Sequence, residues 1–284
     1  MGKVIIAIVK GGLGNQLFIY AAARALALRT GRDLYLDMKR GYEADNYGRS
    51  YRLAQFPIQA KVMPESWRVA PTLKHPKHKL VRAWNKLLPR NRRCYLAERH
   101  HLNARQLVDL KPSSQRVTLL GYWQDERYFI DVADIIRREL APVEPLDERN
   151  RALGERLVGS ESVALHVRRV RYTPLLGPDY YQKAIDQACE RVPNPLFVLF
   201  GDDPDWAESK LDFRGHSVER VCHNAEVELS DLWLMSRCRH AIIANSSFSW
   251  WGGWLGAGAR RDGVVWCPAS PGLPIRWPSQ WVAI

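Results

Sequence analysis

The feature that most constrains the fold is an alternation of short apolar strands with helices from residue 162 onward. Strands are predicted at "SVALHVR", "PLFVLFG", "SVERV", "HAIIAN" and "GVVWC", with helices near 179–191, 204–211, 226–238 and 247–258. Strands that alternate with helices are joined by crossover connections, which place neighbouring strands parallel and helices on the faces of the sheet. This half of the chain is therefore predicted to form a doubly wound α/β sheet.

The first half of the chain begins with a similar unit. "KVIIAIV" is predicted to be a buried strand, residues 15–30 a helix rich in Ala and Leu, and "RDLYLD" a second strand. Further along, the sequence predicts a strand at 116–123, an amphipathic helix at 126–140 and a linker at 141–150. We therefore expect an α/β protein of two Rossmann-like domains, at about 1–145 and 155–284, with a ligand cleft at the carboxyl ends of their strands.

The composition agrees with such a protein. Of its 284 residues, 46% are hydrophobic and 25% charged, which supports a sizeable core. "VIIAIV" is far shorter than the roughly 20 residues that span a bilayer, so we expect a cytoplasmic protein. The widely spaced cysteines indicate neither a disulfide framework nor a zinc ribbon. They are Cys94, Cys189, Cys222, Cys238 and Cys267.

The charge is strongly basic. With 42 basic and 30 acidic residues the formal net charge is +12, which favours an anionic partner. Residues 74–93, "KHPKHKLVRAWNKLLPRNRR" (the basic segment), combine cations with apolar residues at roughly helical spacing. Such a segment either lies on anionic lipid or forms a solvated helix packed on the core. Nucleic acid is not expected as a partner, because no helix-turn-helix, zinc-finger or RNP signature accompanies the charge.

The loop "GGLGNQ" joins the first strand to the first helix. A helix start that follows glycines presents N–H groups and positive partial charge. The candidate ligand residues here are Gly12, Gly14, Asn15 and Gln16. A dinucleotide fingerprint would need glycine where Leu17 stands, although Asp37 falls where a ribose-binding acid is expected. A plain tight turn, a ligand loop and a nicotinamide site therefore all stay open.

The stretch "ALHVRRVRY" places two arginines at the end of a predicted strand. Because side chains alternate along a strand, His166 and Arg168 share one side and Arg169 the other. A guanidinium matches a phosphate in a bidentate manner and neutralises a departing diphosphate without a metal. We therefore expect Arg168 and His166 to face one ligand and Arg169 to have a structural role, with ordinary ion pairs as the alternative.

Acidic residues end the next strand in "FGDDPDW". Asp202 and Asp203 precede Pro204, a residue that favours the first position of a helix, so an aspartate is expected to cap that helix. A carboxylate here would also suit the N1–H and exocyclic amine of guanine. The letters D-P-D further match the D-x-D pattern of metal-dependent glycosyltransferases, which is a third alternative.

The segment "ANSSFSWWGGWLGA" predicts another helix start. Asn245, Ser246 and Ser247 would bring an amide, hydroxyls and N–H groups to one anion site. The aromatic residues after them, Phe248, Trp250, Trp251 and Trp254, are expected to pack the helix rather than to form a stacking platform.

Five segments together carry a resemblance that spans nearly the whole chain in order. They are "GGLGNQLFIYAAARALA", "GYWQDERYF", "HVRR", "DLWLMSRCRHAIIANSSFSWWGGWLGA" and "VVWCP". This set resembles the bacterial α-1,2-fucosyltransferases of glycosyltransferase family 11. The resemblance implies a GT-B fold of two Rossmann-like domains facing across a cleft, GDP-fucose as donor, inversion at the anomeric carbon and no cofactor or metal.

The resemblance also implies roles for individual residues. Arg168 would hold the β-phosphate, and His166 and Asp203 the guanosine end. Ser246 and Ser247 would hold the diphosphate, and Asn15 the fucose or the diphosphate. The candidate catalytic residues are thus Arg168 and His166. The candidate donor-binding residues are Gly12, Gly14, Asn15, Gln16, Asp202, Asp203, Asn245, Ser246, Ser247 and Phe248.

One motif departs from the family. The usual H-x-R-R-G-D-Y is here "HVRRVRY", with Val170 and Arg171 in place of glycine and aspartate. This change leaves the acceptor and the general base open. Acidic candidates for the base are Asp37, Asp125, Glu126 and Asp179.

The expected function is transfer of L-fucose from GDP-fucose to a saccharide hydroxyl, such as O2 of a galactoside on an oligosaccharide or glycolipid. Four alternatives are another GDP-6-deoxyhexose as donor, a GDP-binding protein without transfer, a metal-dependent transferase and an NAD-dependent oxidoreductase. The expected location is the cytoplasm, with attachment to the inner face of the membrane left open.

Overall fold

The computed structural model describes residues 2–43, 45–68, 74–98, 103–145, 147–169, 174–224, 227–270, 272 and 274–284. The chain divides into two compact units, residues 1–140 and 141–284. Each unit contains a parallel sheet.

The first unit is built on strands in the order β3-β2-β1-β5-β4. These strands are β1 (Val4–Ile8), β2 (Asp33–Asp37), β3 (Lys61–Val62), β4 (Tyr95–Ala97) and β5 (Arg116–Leu120). Its helices are α1 (Leu13–Thr30), α2 (Pro76–Leu87), α3 (Ala104–Val108) and α4 (Ala133–Glu139). β1 pairs with both β2 and β5, so the strand order reverses between β1 and β5 and leaves a crevice at their carboxyl ends.

The core of this unit follows from its apolar sequence. Every residue of β1 is buried, and α1 is buried over most of its surface because small alanines let it lie close to the sheet. A polar cluster ties α1 to α4: the hydroxyl of Tyr20 donates to Glu139 at 2.5 Å, and Arg24 donates to the same carboxylate at 2.7 Å. The charge of Glu139 is thereby compensated inside the unit.

The second unit contains strands in the order β11-β10-β9-β6-β7-β8. These strands are β6 (Ser162–Val167), β7 (Leu196–Gly201), β8 (Val218–Arg220), β9 (His240–Ile242), β10 (Val265–Cys267) and β11 (Val282–Ala283). Its helices are α5 (Glu148–Val158), α6 (Pro178–Arg191), α7 (Pro204–Lys210), α8 (Glu228–Arg237) and α9 (Ser247–Leu255). β6 lies between β7 and β9, which places the reversal of strand order between β6 and β9.

The predicted elements are present, and two of them need correction. The helix predicted over 126–140 is wrong in its first half, where the chain makes 3₁₀ turns at Glu126–Tyr128 and Ile130–Val132 before α4. Asp125 caps the first of these turns and favours the tighter conformation. The linker predicted over 141–150 is wrong at its end, because α5 begins at Glu148 with Asp147 as its cap.

The basic segment forms α2 and a short 3₁₀ turn at Arg90–Arg92. In the part of the chain that the structure describes, no helix combines the length and apolar composition needed to cross a bilayer.

Candidate active site

The candidate residues of the second unit meet at its switch point. His166 and Arg168 lie at the carboxyl end of β6, and Asn245 and Ser246 follow β9, the strand paired with β6. The carboxyl ends of adjacent parallel strands share one edge of the sheet, and ligands of open α/β sheets bind at the point where strand order reverses.

His166 is buried in this edge. Its side chain is 3% exposed, and its ring centroid lies 5.6 Å from that of Phe248. Burial lowers the pKa of His166 to about 3, and the positive charge of Arg168 contributes in the same direction. The ring is therefore neutral at pH 7. Among the described residues, its Nδ1 is buried without a hydrogen-bond partner, an arrangement that suits a ligand.

Asp202 holds both arginines that follow β6. One carboxylate oxygen lies 3.4 Å from Nε of Arg168, and the other accepts from the backbone N–H of Arg169 at 2.7 Å. The Arg169 guanidinium lies over the Trp206 ring, 4.1 Å from its centroid, and donates to the carbonyl of Leu176 at 3.2 Å. These contacts agree with a structural role for Arg169, although its guanidinium contacts an aromatic ring and a loop carbonyl rather than the carboxylate or helix end expected.

Gly201 allows this close approach. Its φ is 133°, and a Cβ atom there would lie 1.9 Å from the carbonyl oxygen of Val167. Only glycine fits this position. The backbone N–H of Asp202 then reaches the same carbonyl at 3.4 Å, which places the Asp202 carboxylate beside Arg168.

The two carboxylates of D-P-D have other partners. Asp203 caps α7 by accepting from the backbone N–H of Trp206 at 3.1 Å, as one of the three alternatives predicted. Asp205 lies 2.6 Å from Nη2 of Arg220. Within the described ranges, no group of three or more His, Cys, Asp or Glu side chains is placed to hold a metal ion.

The start of α9 is open to a ligand. Ser246 caps the helix by accepting from the N–H of Ser249 at 3.0 Å, and the carbonyl of Ser246 accepts from Trp250. The N–H groups of Ser247 and Phe248 have no acceptor in the part of the chain described, as expected in the first turn of a helix. This end of α9 therefore offers donors and positive partial charge.

Asn245 supports the neighbouring loop. It is 1% exposed, and its amide donates to the carbonyl of Pro174 at 2.9 Å. The amide predicted to face an anion is thus engaged by the loop that follows Arg169. Val170 and Arg171, where the motif departs from the family, lie outside the described residues.

The tryptophans of α9 pack the core, as predicted. Trp250, Trp251 and Trp254 are fully buried. The rings of Trp250 and Trp254 stack at 5.7 Å, and Nε1 of Trp250 donates to the carbonyl of Arg276 at 3.0 Å. These rings fix the direction of α9 and leave Phe248 as the aromatic residue beside His166.

A buried glutamine, Gln16, holds the glycine-rich loop of the first unit in place. Gln16 is fully buried, and its amide donates to the carbonyls of Gly11 and Ser50 at 2.9 and 2.8 Å. Its oxygen accepts from the backbone N–H of Arg52 at 2.9 Å. Gly12 is the cap of α1 and has φ of −70°, and Gly14 lies in the first turn of that helix. Gln16 therefore positions the loop.

Asn15 lies at the switch point of the first sheet. Its side-chain oxygen accepts from Gln124, which follows β5, at 2.7 Å. Gln124 lies within the segment "GYWQDERYF", and no local sequence pattern predicts a role for it. Its partnership follows from the pairing of β1 with β5, which brings together side chains 109 positions apart.

The acidic candidates for the base differ in their surroundings. Asp37 is 1% exposed and bonds Arg40 and the N–H of Lys39, so it does not resemble a ribose-binding acid. Asp125 accepts from the backbone N–H of Arg127 at 3.0 Å and pairs with its guanidinium. Asp179 is exposed in the first turn of α6.

The fold of the two units indicates the class of protein to which the chain belongs. Two α/β units, each built on a parallel sheet, are the architecture of the GT-B fold. The chain belongs to glycosyl transferase family 11, whose family model matches residues 4–266.

Individual relatives agree with this assignment. An α-1,2-colitosyltransferase of Escherichia coli is 30% identical over 268 residues, which cover 89% of this chain and 88% of the relative. The O-antigen biosynthesis glycosyltransferase WbnK of E. coli is 29% identical over 278 residues, with 87% and 88% covered. The family and fold class predicted from sequence are confirmed, and the protein is a fucosyltransferase-like glycosyltransferase.

A solved structure resembles the fold. The α-1,6-fucosyltransferase NodZ of Bradyrhizobium, co-crystallized with GDP, has a TM-score of 0.50 and is 17% identical. The match covers 90% of this chain and 93% of NodZ.

Proposed function

We propose that the protein is an inverting transferase that moves L-fucose from GDP-fucose to a hydroxyl of a saccharide, O2 of a galactoside being the expected position. One observation carries the proposal: His166 Nδ1, the Arg168 guanidinium and the first N–H groups of α9 converge on the switch point between β6 and β9. The GDP in the NodZ crystals and the name of the α-1,2-colitosyltransferase support it.

Arg168 would stabilise the leaving group. As the bond between the anomeric carbon and the diphosphate breaks, negative charge grows on the diphosphate oxygens, and a cation placed there stabilises the transition state more than the ground state. The Asp202 carboxylate lies within ion-pair distance of Nε of Arg168, at 3.4 Å.

The start of α9 would bind the same diphosphate. The N–H groups of Ser247 and Phe248 supply donors without a second positive side chain. Ser246 caps the helix and keeps its first turn in place.

His166 would contact the guanosine end as a neutral ring. Its depressed pKa means that it contributes a hydrogen bond rather than a charge. The Phe248 ring lies beside it, with 5.6 Å between the ring centroids.

We propose that no resident metal takes part. The carboxylate of Asp203 caps a helix and that of Asp205 pairs with Arg220, and Arg168 would neutralise the diphosphate in place of a metal. Full turnover in EDTA is the expected result, and a loss of activity restored by Mn²⁺ would contradict it.

A second donor is favoured by a specific observation. The relative with 30% identity is named a colitosyltransferase, and colitose is fucose without the hydroxyl at C3. A site that bonds that hydroxyl would discriminate strongly against the deoxy sugar, whereas an apolar site would accept both. The acceptor is proposed to be a surface glycan, as the O-antigen in the name of WbnK suggests.

The test is GDP release from the purified protein in EDTA. Donors are GDP-fucose, GDP-colitose, GDP-mannose and UDP-galactose, each with and without galactoside acceptors. Acceptor-stimulated release of GDP from GDP-fucose supports the proposal. Release from GDP-colitose alone would show that GDP-colitose, not GDP-fucose, is the donor. GDP binding without release from any donor would favour a binding protein.

A further inference from the structure

Helix α2 presents its apolar residues outward. Leu80, Trp84 and Leu87 are 70%, 68% and 77% exposed. Their spacing of four and three residues places them on one face of the helix. An amphipathic helix of a globular protein normally buries such a face, so this orientation requires a separate explanation.

Polar contacts fix the opposite face against the sheet. Asn85 is 2% exposed, and its amide accepts from the N–H groups of Cys94 and Tyr95 at 2.9 and 3.0 Å and donates to the carbonyl of Tyr95. His78 is also buried, edge-on to the Tyr95 ring at 5.0 Å. Rotating α2 to bury its apolar residues would break these bonds.

The C-terminus of α2 is held as well. Arg93 donates to the carbonyls of Leu88 and Lys86 at 3.0 and 3.1 Å. The helix is therefore docked at its inward face and at its end, with the apolar stripe facing away from the sheet.

The surroundings of the stripe are cationic. From Ser66 to Ala97 the sequence contains no Asp or Glu. Its basic residues are Arg68, Lys74, Lys77, Lys79, Arg82, Lys86, Arg90, Arg92 and Arg93. Lys77 lies one turn before Leu80 on the same face of α2. Lys79 and Lys86 flank the apolar stripe formed by Leu80, Trp84 and Leu87. In the described residues, Lys77, Lys79 and Lys86 form no ion pair and are exposed.

We propose that this face of α2 binds an anionic lipid bilayer. Trp and Leu side chains insert at the boundary between head groups and acyl chains, while lysines beside them reach lipid phosphates. A second copy of the chain is a poorer partner, because pairing the two faces would bring two cationic segments together without an acid to compensate.

Vesicle co-sedimentation of the full chain tests this, with phosphatidylcholine vesicles that contain or lack phosphatidylglycerol. We expect binding to the anionic vesicles alone, weakened as salt increases. The variant L80S/W84S/L87S should bind at least about tenfold more weakly, because the apolar insertion is lost. The variant K77E/K79E/K86E should lose about a hundredfold, since each cation near an anionic surface contributes about fivefold.

Control variants carry changes of the same kind elsewhere. K3E/K111E/K183E alters the same number of exposed lysines, and V143S/V227S removes exposed apolar residues of the second unit. Both should bind like the unmodified protein, and circular dichroism should show that every variant is folded. Since the readout is binding, failure here leaves the proposed transfer reaction untouched.

Three outcomes would overturn the proposal. The first is no binding to anionic vesicles, and the second is equal binding by the unmodified protein and L80S/W84S/L87S. The third is a dimer in sedimentation velocity that L80S/W84S/L87S abolishes, because a second copy would then cover the face.

Discussion

At the switch point of the first unit, the amide of Gln124 donates to Asn15, and Gln16 bonds three backbone groups around the glycine-rich loop. At the switch point of the second unit, His166 Nδ1 and the first N–H groups of α9 have no acceptor or donor among the described residues. Both edges are rich in polar residues. They differ in particular side chains: Asn15 and Gln16 of the first unit bond within the protein, whereas Nδ1 of His166 in the second does not, although Nε1 of Trp123 after β5 is also without a partner among the described residues.

This difference distinguishes residues that maintain the fold from residues that bind a ligand. A buried polar group without a partner costs free energy, and at a ligand site the ligand can supply that partner. The second unit is therefore expected to respond to nucleotide, and substitutions in the first-unit loop to reduce stability first.

The largest expected effect concerns Arg168. Replacing it with alanine should lower turnover by about a hundredfold, on the order of 3 kcal/mol, because the charge developing on the leaving group loses its cation. GDP-release rates at saturating donor measure this. R191A, an exposed arginine in the last turn of α6, is the control and should be unchanged. Near-normal turnover of R168A would show that Arg168 does not take part in the reaction.

The next effect is on stability in the first unit. Gln16→Leu should lower the free energy of unfolding by about 2–3 kcal/mol, because it leaves buried carbonyl and N–H groups unpaired. Denaturant titration measures this, with the exposed Gln115→Leu as a control expected to change it by less than about 0.5 kcal/mol. If both variants were equally stable, the loop would not depend on Gln16.

The third effect depends on pH. Since the pKa of His166 falls from the ordinary 6.5 to about 3 in the folded state, its contribution to stability is complete above pH 6.5 and is lost as pH falls toward 3. At pH 4.5 the loss is about 2–3 kcal/mol relative to pH 7.5.

His166→Leu should flatten this part of the curve of unfolding free energy against pH. Urea titrations at several pH values provide the comparison. An unchanged slope between pH 6.5 and 4 would mean that His166 is not the buried neutral group described here.

The smallest effect concerns the loop after Arg169. Asn245→Ala removes one hydrogen bond to Pro174 and should cost about 1 kcal/mol of stability. The Kd for GDP should rise severalfold, because the loop beside the site loses its anchor. Calorimetric titration of GDP measures the change. An unaltered Kd would show that Asn245 contributes to folding but not to GDP binding.

Much of the fold was predictable from local patterns. Buried runs such as "VIIAIV" and "PLFVLFG" identified strands, and Asp203 before Pro204 identified the start of α7. The first half of the helix predicted over 126–140 was wrong because periodicity alone does not separate an α-helix from successive 3₁₀ turns.

The site was predictable in part. Alternation along β6 separated Arg168 from Arg169, as their contacts now show. The bonds of Gln16 and the pairing of Asn15 with Gln124 depend on strands that are distant in sequence, and no local pattern reports them. The outward orientation of the apolar face of α2 likewise depends on the hydrogen bonds that Asn85 accepts from the N–H groups of Cys94 and Tyr95, at the start of β4.

The central claim is that the open edge of the second unit binds the diphosphate of the donor. Amide hydrogen exchange of peptides spanning 244–249, with and without GDP, tests it most directly. We predict that exchange at Ser247 and Phe248 slows by about tenfold or more, because the phosphate oxygens accept from these N–H groups. Protection confined to the first unit, with exchange at 244–249 unchanged at saturating GDP, would contradict the claim.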